Sequence, residues 1–369
     1  MDRKRFSGML VAAPLLRPAA ARAQAHDAYK IGVTYPLTGS LASSGNEYLP
    51  AAEVAVTHIN RAGGISGHPL ELVVEDTQGQ PQGGIAAMRK VVQVDGAQAI
   101  LTIYTNVVTA QMPLADQLKV PLLSPVEAPG LMSKSTYAFS HAASVASMGT
   151  LWQSYWRKTH VKRVFAFIVN NAFGPFISAV AKGAAQNAGV DYQETPFNYG
   201  DNDYRGLVAR AKDFNPDAVL VAEQGGIDGT LIIKQVREAG LQAPVFFPGI
   251  FYDEVAWRNG VGSYINGVVE TGIRIDPRAG KQFIDDYRIK TGHIPSYVAG
   301  EVYDHIRMFA AAIARGGYNG EAIRNQLATM KGVPSVFGGQ IVMDAEHYSI
   351  PSTDSLWIVR NGSLQRVDA

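Results

Sequence analysis

The sequence predicts an α/β protein with two doubly wound parallel sheets, one in each of two lobes. Strand-like and helix-like stretches alternate along the chain with short loops between them, which is typical of parallel sheets with right-handed crossovers. A length of 369 residues suits two domains. No Gly/Ser-rich linker, repeat or low-complexity tract divides the chain, so we expect it to cross between the lobes on short, ordered segments.

The first strand, helix and second strand open the chain. Residues 30–34 alternate apolar and polar side chains, as a half-buried strand does. After a loop of glycines and small hydroxyl residues, apolar residues recur every three or four positions over 46–60, which predicts a helix. Gly63 and Gly64 end this helix, and residues 70–76 form the next strand. Ligands bind at the carboxyl ends of strands in open α/β sheets, so the loop after the first strand is a candidate site.

The same alternation continues through the rest of the chain. Further strands are predicted at 99–102, 120–124, 164–169, 217–222 and 244–248, with an extended piece at 137–139, and residues 267–271 are a candidate crossing between the lobes. Further helices are predicted at 85–94, 109–118, 147–159, 174–187, 203–214, 227–239, 279–290, 297–315 and 321–330.

Composition excludes several classes of protein. The hydrophobic content of 47% is that of an ordinary globular chain, and the net charge of +1 offers no basic field to a nucleic acid. The chain has no cysteine, so it can form neither a disulfide framework nor a cysteine-ligated metal site. We therefore expect no nucleic-acid partner and no cofactor.

The N-terminus has the three parts of a secretory signal peptide. A basic cluster at residues 3–5 precedes an apolar stretch at 8–16 and the small-residue site Ala23-Gln24-Ala25. The apolar stretch is too short to span a bilayer. We expect cleavage near Ala25 and a periplasmic mature protein, and the basic cluster leaves open whether export uses the general or the twin-arginine route.

A family resemblance appears at the opening unit. Pro36 to Gly39, then Ala42 and Gly45, then the helix end at 59–67 and the acidic strand end at 75–76 occur in this order. The combination resembles the opening of the leucine/isoleucine/valine-binding-protein family, which are extracytoplasmic solute receptors of ABC transporters. The likeness extends over most of the chain.

The resemblance implies the type I periplasmic-binding-protein fold, in which a three-segment hinge joins two lobes and the ligand lies in the cleft between them. It places the three crossings near residues 141–146, 271–275 and 343–347. The expected division is a signal peptide at 1–25, an N-terminal lobe of 26–143 plus 273–345, and a C-terminal lobe of 144–272 plus 346–369. The resemblance also implies transient docking to ABC permease subunits, and we expect a monomer.

Catalytic motifs are missing from the sequence. It contains no Gly-x-Ser-x-Gly elbow, dinucleotide fingerprint or Walker loop, and no two histidines stand at metal-ligand spacing. A solute-binding receptor is therefore favoured over an enzyme on a doubly wound scaffold. Transport and ligand sensing require the same lobe closure, so the sequence leaves a sensing receptor for small amides or amino acids as an alternative.

Candidate ligand-binding residues follow the strands of the first lobe. They are Ser44, Tyr104, Thr105, Asn106, Val126 and Glu127. Thr105 and Asn106 stand at a predicted helix start, where free backbone amides favour a carboxylate, although helix capping alone would also explain them. The resemblance implies that the ligand carboxylate binds here and at the loop of residues 124–129. Glu127 departs from the small hydroxyl residues that the family has in that loop.

The second lobe contributes Phe173, Glu223, Phe251 and Tyr252. By resemblance, Phe173 occupies the position of an aromatic residue that closes over the ligand. Together with Tyr104, the aromatic residues of this lobe would form an apolar wall suited to a small aromatic or aliphatic acid.

Ile250 bears on the nature of the ligand. Amino-acid-binding relatives have a glutamate here that neutralises the ligand's α-ammonium group, and Ile250 cannot do so. A buried ammonium without a counter-charge costs several kcal/mol. The sequence therefore favours a carboxylate ligand without an amino group, and a branched-chain-type amino acid would need Glu223 or Glu127 as the substitute.

Overall fold

The computed structural model describes residues 27–128, 130–224, 227–352 and 354–367. The predicted signal peptide and its cleavage site at Ala25 lie outside these residues. Within the described ranges no helix is both long and apolar enough to cross a membrane.

The first lobe begins with a parallel α/β unit. Its elements are β1 (Tyr29–Tyr35), α1 (Ala42–Arg61), β2 (Leu70–Asp76), α2 (Pro81–Gln93), β3 (Ile100–Thr102), α3 (Thr105–Leu118), β4 (Leu122–Ser124) and β5 (Ala138–His141). The strands lie side by side in the order β5-β4-β3-β1-β2, and every neighbouring pair is parallel. The chain reverses direction across the sheet between β1 and β3, so the loops after these two strands flank a crevice.

The second lobe repeats this arrangement. Its elements are α4 (Val145–Lys158), β6 (Arg163–Val169), α5 (Gly174–Ala188), β7 (Asp191–Phe197), α6 (Arg205–Phe214), β8 (Ala218–Ala222), α7 (Asp228–Glu238), β9 (Val245–Pro248), α8 (Val255–Val261) and β10 (Val268–Gly272). The parallel strands lie in the order β7-β6-β8-β9-β10, with the corresponding crevice between β6 and β8.

The remaining elements complete both lobes. They are α9 (Lys281–Thr291), α10 (Tyr297–Gly316), α11 (Gly320–Ala328), β11 (Val333–Pro334), β12 (Gln340–Ile341), β13 (Tyr348–Ser349), β14 (Ser355–Arg360) and β15 (Ser363–Val367). Helix α10 packs along α1, and α9 and α11 pack beside them in the first lobe. Strands β14 and β15 form an antiparallel hairpin at the edge of the second sheet. The parallel strands of this sheet match the prediction, and the antiparallel hairpin extends the sheet at one edge.

The chain passes between the two sheets three times. The first crossing connects β5 to α4, and the second follows β10. The third was expected near residues 343–347, with 346–369 in the C-terminal lobe, and this boundary is wrong. β13 pairs with β5 in the first sheet, where the Ser140 amide donates to His347 O and the Ala142 amide to Ser349 O. The chain leaves the first lobe after Ser349, and a two-residue strand has no periodicity that could have shown this.

Candidate functional site

Loops at the carboxyl ends of both sheets meet in a small cavity between the lobes. Its volume is about 30 Å³. The lining residues are Tyr48, Ile103, Tyr104, Pro125, Glu127, Glu223, Gln224, Phe251, Tyr297 and Val298. They include four of the predicted binding residues, namely Tyr104, Glu127, Glu223 and Phe251. The cavity holds roughly one water molecule, so a solute can enter only when the lobes or side chains move.

Thr105 makes a direct hydrogen bond to the opposite lobe. It is the first residue of α3, and its hydroxyl donates to Gln224 Oε1 at 3.0 Å. Its backbone amide lies 3.4 Å from the same oxygen. No side chain caps this helix start, so the structure does not support the capping explanation for Thr105. The two donors expected to bind a ligand carboxylate hold the Gln224 amide oxygen instead.

Glu127 reaches the cavity from the loop after β4. The Tyr297 hydroxyl donates to Glu127 Oε1 at 2.8 Å, and the carboxyl group is otherwise buried. Burial raises the pKa of Glu127 to about 8, the nearby charge of Asp354 adds to the rise, and the Tyr297 hydrogen bond opposes it. Glu127 is therefore an acid that stays largely protonated at neutral pH unless a cation approaches it.

Glu223 faces the same cavity from the end of β8. Its side chain is 1% exposed, and within the described ranges no donor makes a well-formed hydrogen bond to either carboxyl oxygen, although the Gly229 amide lies close enough to interact. Burial raises its pKa to about 8, the Asp228 charge raises it further, and the backbone amide of Gly229 partly offsets the rise. A buried acceptor without a well-formed hydrogen bond is costly in a folded protein. Glu223 is therefore a candidate ligand-binding group.

Aromatic rings form most of the cavity wall. Phe251 of the second lobe packs edge-to-face on Tyr297 of the first, with ring centroids 5.7 Å apart. The Tyr48 hydroxyl donates to Glu254 Oε1 at 2.8 Å, which is a second hydrogen bond between the lobes. Tyr104 adopts a left-handed backbone conformation with φ of +71°, which orients its side chain at the turn between β3 and α3.

Three predicted residues of the first lobe lie behind the cavity wall. Ser44, in the first turn of α1, hydrogen-bonds Tyr104. Asn106 donates through Nδ2 to Gly79 O at 3.0 Å and so faces the loop after β2. Val126 is fully buried in the apolar core of the first lobe. These residues shape the site without lining the cavity.

Two predicted aromatic residues of the second lobe point elsewhere. Phe173 is fully buried in the hydrophobic core at the start of α5, so the structure does not place it over the cavity. The Tyr252 hydroxyl donates to Gly362 O in the β14–β15 turn, and its ring lies 5.6 Å from the Arg258 guanidinium. Of the predicted aromatic wall, only Tyr104 and Phe251 line the cavity.

Ile250 lines a neighbouring pocket of about 150 Å³ at the second crossing. This pocket is built largely from isoleucine and proline side chains, with an ion pair of 2.7 Å between Arg274 and Asp253. Tyr297 belongs to both pockets and separates them. Ile250 does not face the cavity, so it gives no information about whether an ammonium group binds there. Ile250 therefore no longer favours a ligand without an ammonium group.

Six of the ten lining residues were not predicted from the sequence, namely Tyr48, Ile103, Pro125, Gln224, Tyr297 and Val298. Tyr48, Gln224 and Tyr297 line the cavity, and Glu254 hydrogen-bonds one of them. Gln224 could have been found, because it directly follows Glu223 at a strand end. Tyr48 and Tyr297 lie within the first turns of long amphipathic helices, where a buried tyrosine is ordinary and gives no signal. In the described part of the chain no group of histidines and carboxylates could hold a metal ion.

Known proteins resemble this chain over most of its length. The model of the periplasmic binding protein family matches residues 28–360. A Leu/Ile/Val-binding protein homolog of Brucella melitensis is 26% identical over 338 residues, which cover 88% of this chain and 89% of the relative.

Two solved structures extend the comparison. The branched-chain amino acid transporter substrate-binding protein LivJ of Streptococcus pneumoniae, in complex with isoleucine, superposes with a TM-score of 0.82 and 24% identity, covering 92% of this chain and 99% of that one. An ABC transporter solute-binding protein of Rhodopseudomonas palustris, in complex with benzoate, also gives a TM-score of 0.82, with 18% identity and coverage of 92% and 95%. Both likenesses show the type I fold.

Proposed function

This chain belongs to the periplasmic binding protein family, and on that basis we propose that it is the substrate-binding component of an ABC transporter. The family consists of solute-binding proteins rather than enzymes. In this proposal the protein captures a small organic solute in the cleft, closes over it, and delivers it to the permease by transient docking as a monomer.

The observation that carries the proposal is that one cavity is built from both lobes. Glu127 and Tyr297 reach it from the first lobe, and Glu223 and Phe251 from the second. A solute bound there would contact both lobes at once, so its binding energy would favour the closed arrangement. Three short crossings allow such closure as a hinge motion.

The known relatives bind different solutes. The pneumococcal neighbour holds isoleucine and the Rhodopseudomonas neighbour holds benzoate, and both of these solutes carry a carboxylate. In this chain a carboxylate at Thr105 would have to displace the Gln224 amide oxygen. The solutes of these two relatives therefore do not define the solute of this chain, which depends on the side chains of its own cavity.

A ligand screen followed by two measurements tests the function. A solute that raises the melting temperature of the mature protein is added at saturation, and small-angle scattering then measures the radius of gyration. We expect the radius to fall as the lobes close. Cells that lack the protein should also lose uptake of the radiolabelled solute. An unchanged radius together with normal uptake would contradict the proposal.

Export is part of the same proposal. The predicted signal peptide should be absent from the protein recovered from the periplasm, with His26 or a near neighbour at the new terminus. N-terminal sequencing measures this directly. An intact terminus on cytosolic protein would argue against the periplasmic location.

A further inference from the structure

The cavity carries acidic groups without cationic partners. Glu127 and Glu223 reach it from opposite lobes, and the described residues that line it include no lysine, arginine or histidine. Within the described ranges no donor makes a well-formed hydrogen bond to either oxygen of Glu223, which is 1% exposed, and only a weak interaction with the Gly229 amide is present there. The carboxyl groups of the cavity can therefore bind a further hydrogen-bond donor or a positive charge.

The hydroxyl donors around the cavity are already engaged. Tyr297 donates to Glu127, Tyr48 donates to Glu254, and Thr105 donates to Gln224. An anionic solute that used these hydroxyl donors would have to break at least one of the three hydrogen bonds. A cation would leave all three in place and would meet the free oxygens of Glu223.

The aromatic wall favours the same kind of solute. The rings of Tyr48, Tyr104, Phe251 and Tyr297 surround the carboxyl groups. Aromatic faces attract cations through their negative quadrupole, by about 2 kcal/mol or more when water is excluded. Aromatic rings combined with carboxylates form the usual environment of a bound organic ammonium ion.

We propose that the solute of this cleft is an organic ammonium ion without a carboxylate, whose nitrogen binds between Glu127 and Glu223 inside the ring of aromatic side chains. This inference rests on the proposed solute-binding function and specifies its substrate class. The Thr105–Gln224 hydrogen bond stays intact in the bound state and helps to hold the lobes together. One of the two carboxyl groups ionises when the ammonium enters, because the ammonium supplies a single counter-charge, and the other accepts a hydrogen bond from the ammonium in its neutral form.

Matched sets of probes test the charge requirement. The first set is leucine, 4-methylpentanoate and 3-methylbutylamine, and the second is phenylalanine, 3-phenylpropanoate and 2-phenylethylamine. Within each set the hydrocarbon is nearly constant, while the molecule is a zwitterion, an anion or a cation. We expect the amine of at least one set to raise the melting temperature of the mature protein and its two counterparts to leave it unchanged.

Variants test the residues. Glu223→Gln should weaken binding of the stabilising amine about thirty-fold or more, which corresponds to about 2 kcal/mol, and Glu127→Gln should act in the same direction. Glu194→Gln is the control, because Glu194 lies on β7 outside the cavity and hydrogen-bonds Ser178 and Lys182. This variant should bind the amine normally. A purely structural role for Glu223 would leave amine affinity unchanged in Glu223→Gln.

The outcomes separate the two proposals. If the zwitterions or the anions stabilise the protein more than the amines, the ammonium inference is overturned and the solute-binding function stands. Anion binding would show that protonated glutamates donate to the solute. If no compound of these sets or of a broader solute library stabilises the protein or changes its radius of gyration, both proposals fail.

Discussion

Two buried acids in this molecule have opposite surroundings. Asp304, in the middle of α10, is fully buried and accepts hydrogen bonds from the Ser335 hydroxyl at 2.6 Å, the Val336 amide at 3.1 Å and the Arg307 guanidinium at 3.2 Å. Glu223 is almost equally buried, and its oxygens accept no well-formed hydrogen bond from the described residues, only a weak interaction with the Gly229 amide. Burial alone therefore does not distinguish a structural acid from a ligand-binding one. The difference lies in whether the protein itself satisfies the carboxyl oxygens.

Removing the charge of Asp304 should give the largest effect on stability. Asp304→Asn replaces an acceptor oxygen with a donor and leaves the Ser335 hydroxyl or the Val336 amide unsatisfied. We expect the free energy of unfolding in urea to fall by about 3 kcal/mol. Asp285→Asn is the control, since Asp285 is an exposed partner of Lys281 and its loss should cost less than about 0.5 kcal/mol. A loss below about 1 kcal/mol for Asp304→Asn would contradict its structural role.

The pH dependence of stability should reveal the acids of the cleft. The pKa values of Glu127 and Glu223 are raised to about 8, so between pH 4.5 and 8 the folded state binds more protons than the unfolded state. Stability should therefore fall as the pH rises through this window and level off above it. Urea melts at a series of pH values measure this. The Glu127→Gln/Glu223→Gln double variant should show a shallower slope, and an equally steep one would mean that other groups cause it.

Neutralising Glu223 alone should have the opposite sign to neutralising Asp304. Glu223→Gln removes a buried charge that has no partner, so the free energy of unfolding at pH 8 should rise by about 1 kcal/mol. The two isosteric changes can be compared in the same urea series. If Glu223→Gln destabilises the protein as much as Asp304→Asn does, then Glu223 has structural partners. The proposed difference between the two acids would then be wrong.

The smallest effect on stability should come from Gln224. Gln224→Ala removes the acceptor of the Thr105 hydrogen bond but no core contact, so unfolding should change by less than about 1 kcal/mol. The readout is conformational, because without this bond the unliganded lobes should separate more often. Small-angle scattering should show a larger radius of gyration than for the wild type. Gln186→Ala, on α5 away from the cleft, should leave the radius unchanged, and an equal radius for Gln224→Ala would mean that the bond does not hold the lobes.

The sequence predicted the strong elements of the fold. The uninterrupted apolar run of β6 and the apolar spacing of α1 are regular enough to identify them without tertiary information. β7 was missed, because it is an edge strand with exposed polar residues and Pro196, which weakens the strand pattern. Polar edge strands and two-residue strands are defined by their neighbours rather than by their own sequence.

The candidate site was predicted less well than the fold. The strand ends were identified, and they contribute Tyr104, Glu127, Glu223 and Phe251 to the cavity. Which residue of a strand end faces inward depends on the backbone angles of two or three loop residues, and the pattern does not give these. For this reason the pattern alone did not show that Phe251 faces the cleft. Tyr297 comes from a helix far along the chain, and only the packing of α10 against α1 brings it to Glu127.

The hydrogen bond between Thr105 and Gln224 has a consequence for the rate and threshold of capture. It joins the lobes without any solute, so the empty protein spends part of its time with the cleft closed to incoming solute. Because the chain tethers it, the Gln224 amide meets the Thr105 donors at an effective concentration of about a millimolar or more. If the empty protein were closed for about nine tenths of the time, the apparent dissociation constant would be about tenfold higher than the intrinsic one. Gln224 would thus raise the solute concentration that the protein needs for binding. The rate at which the lobes open would also set the upper limit on the rate of solute capture.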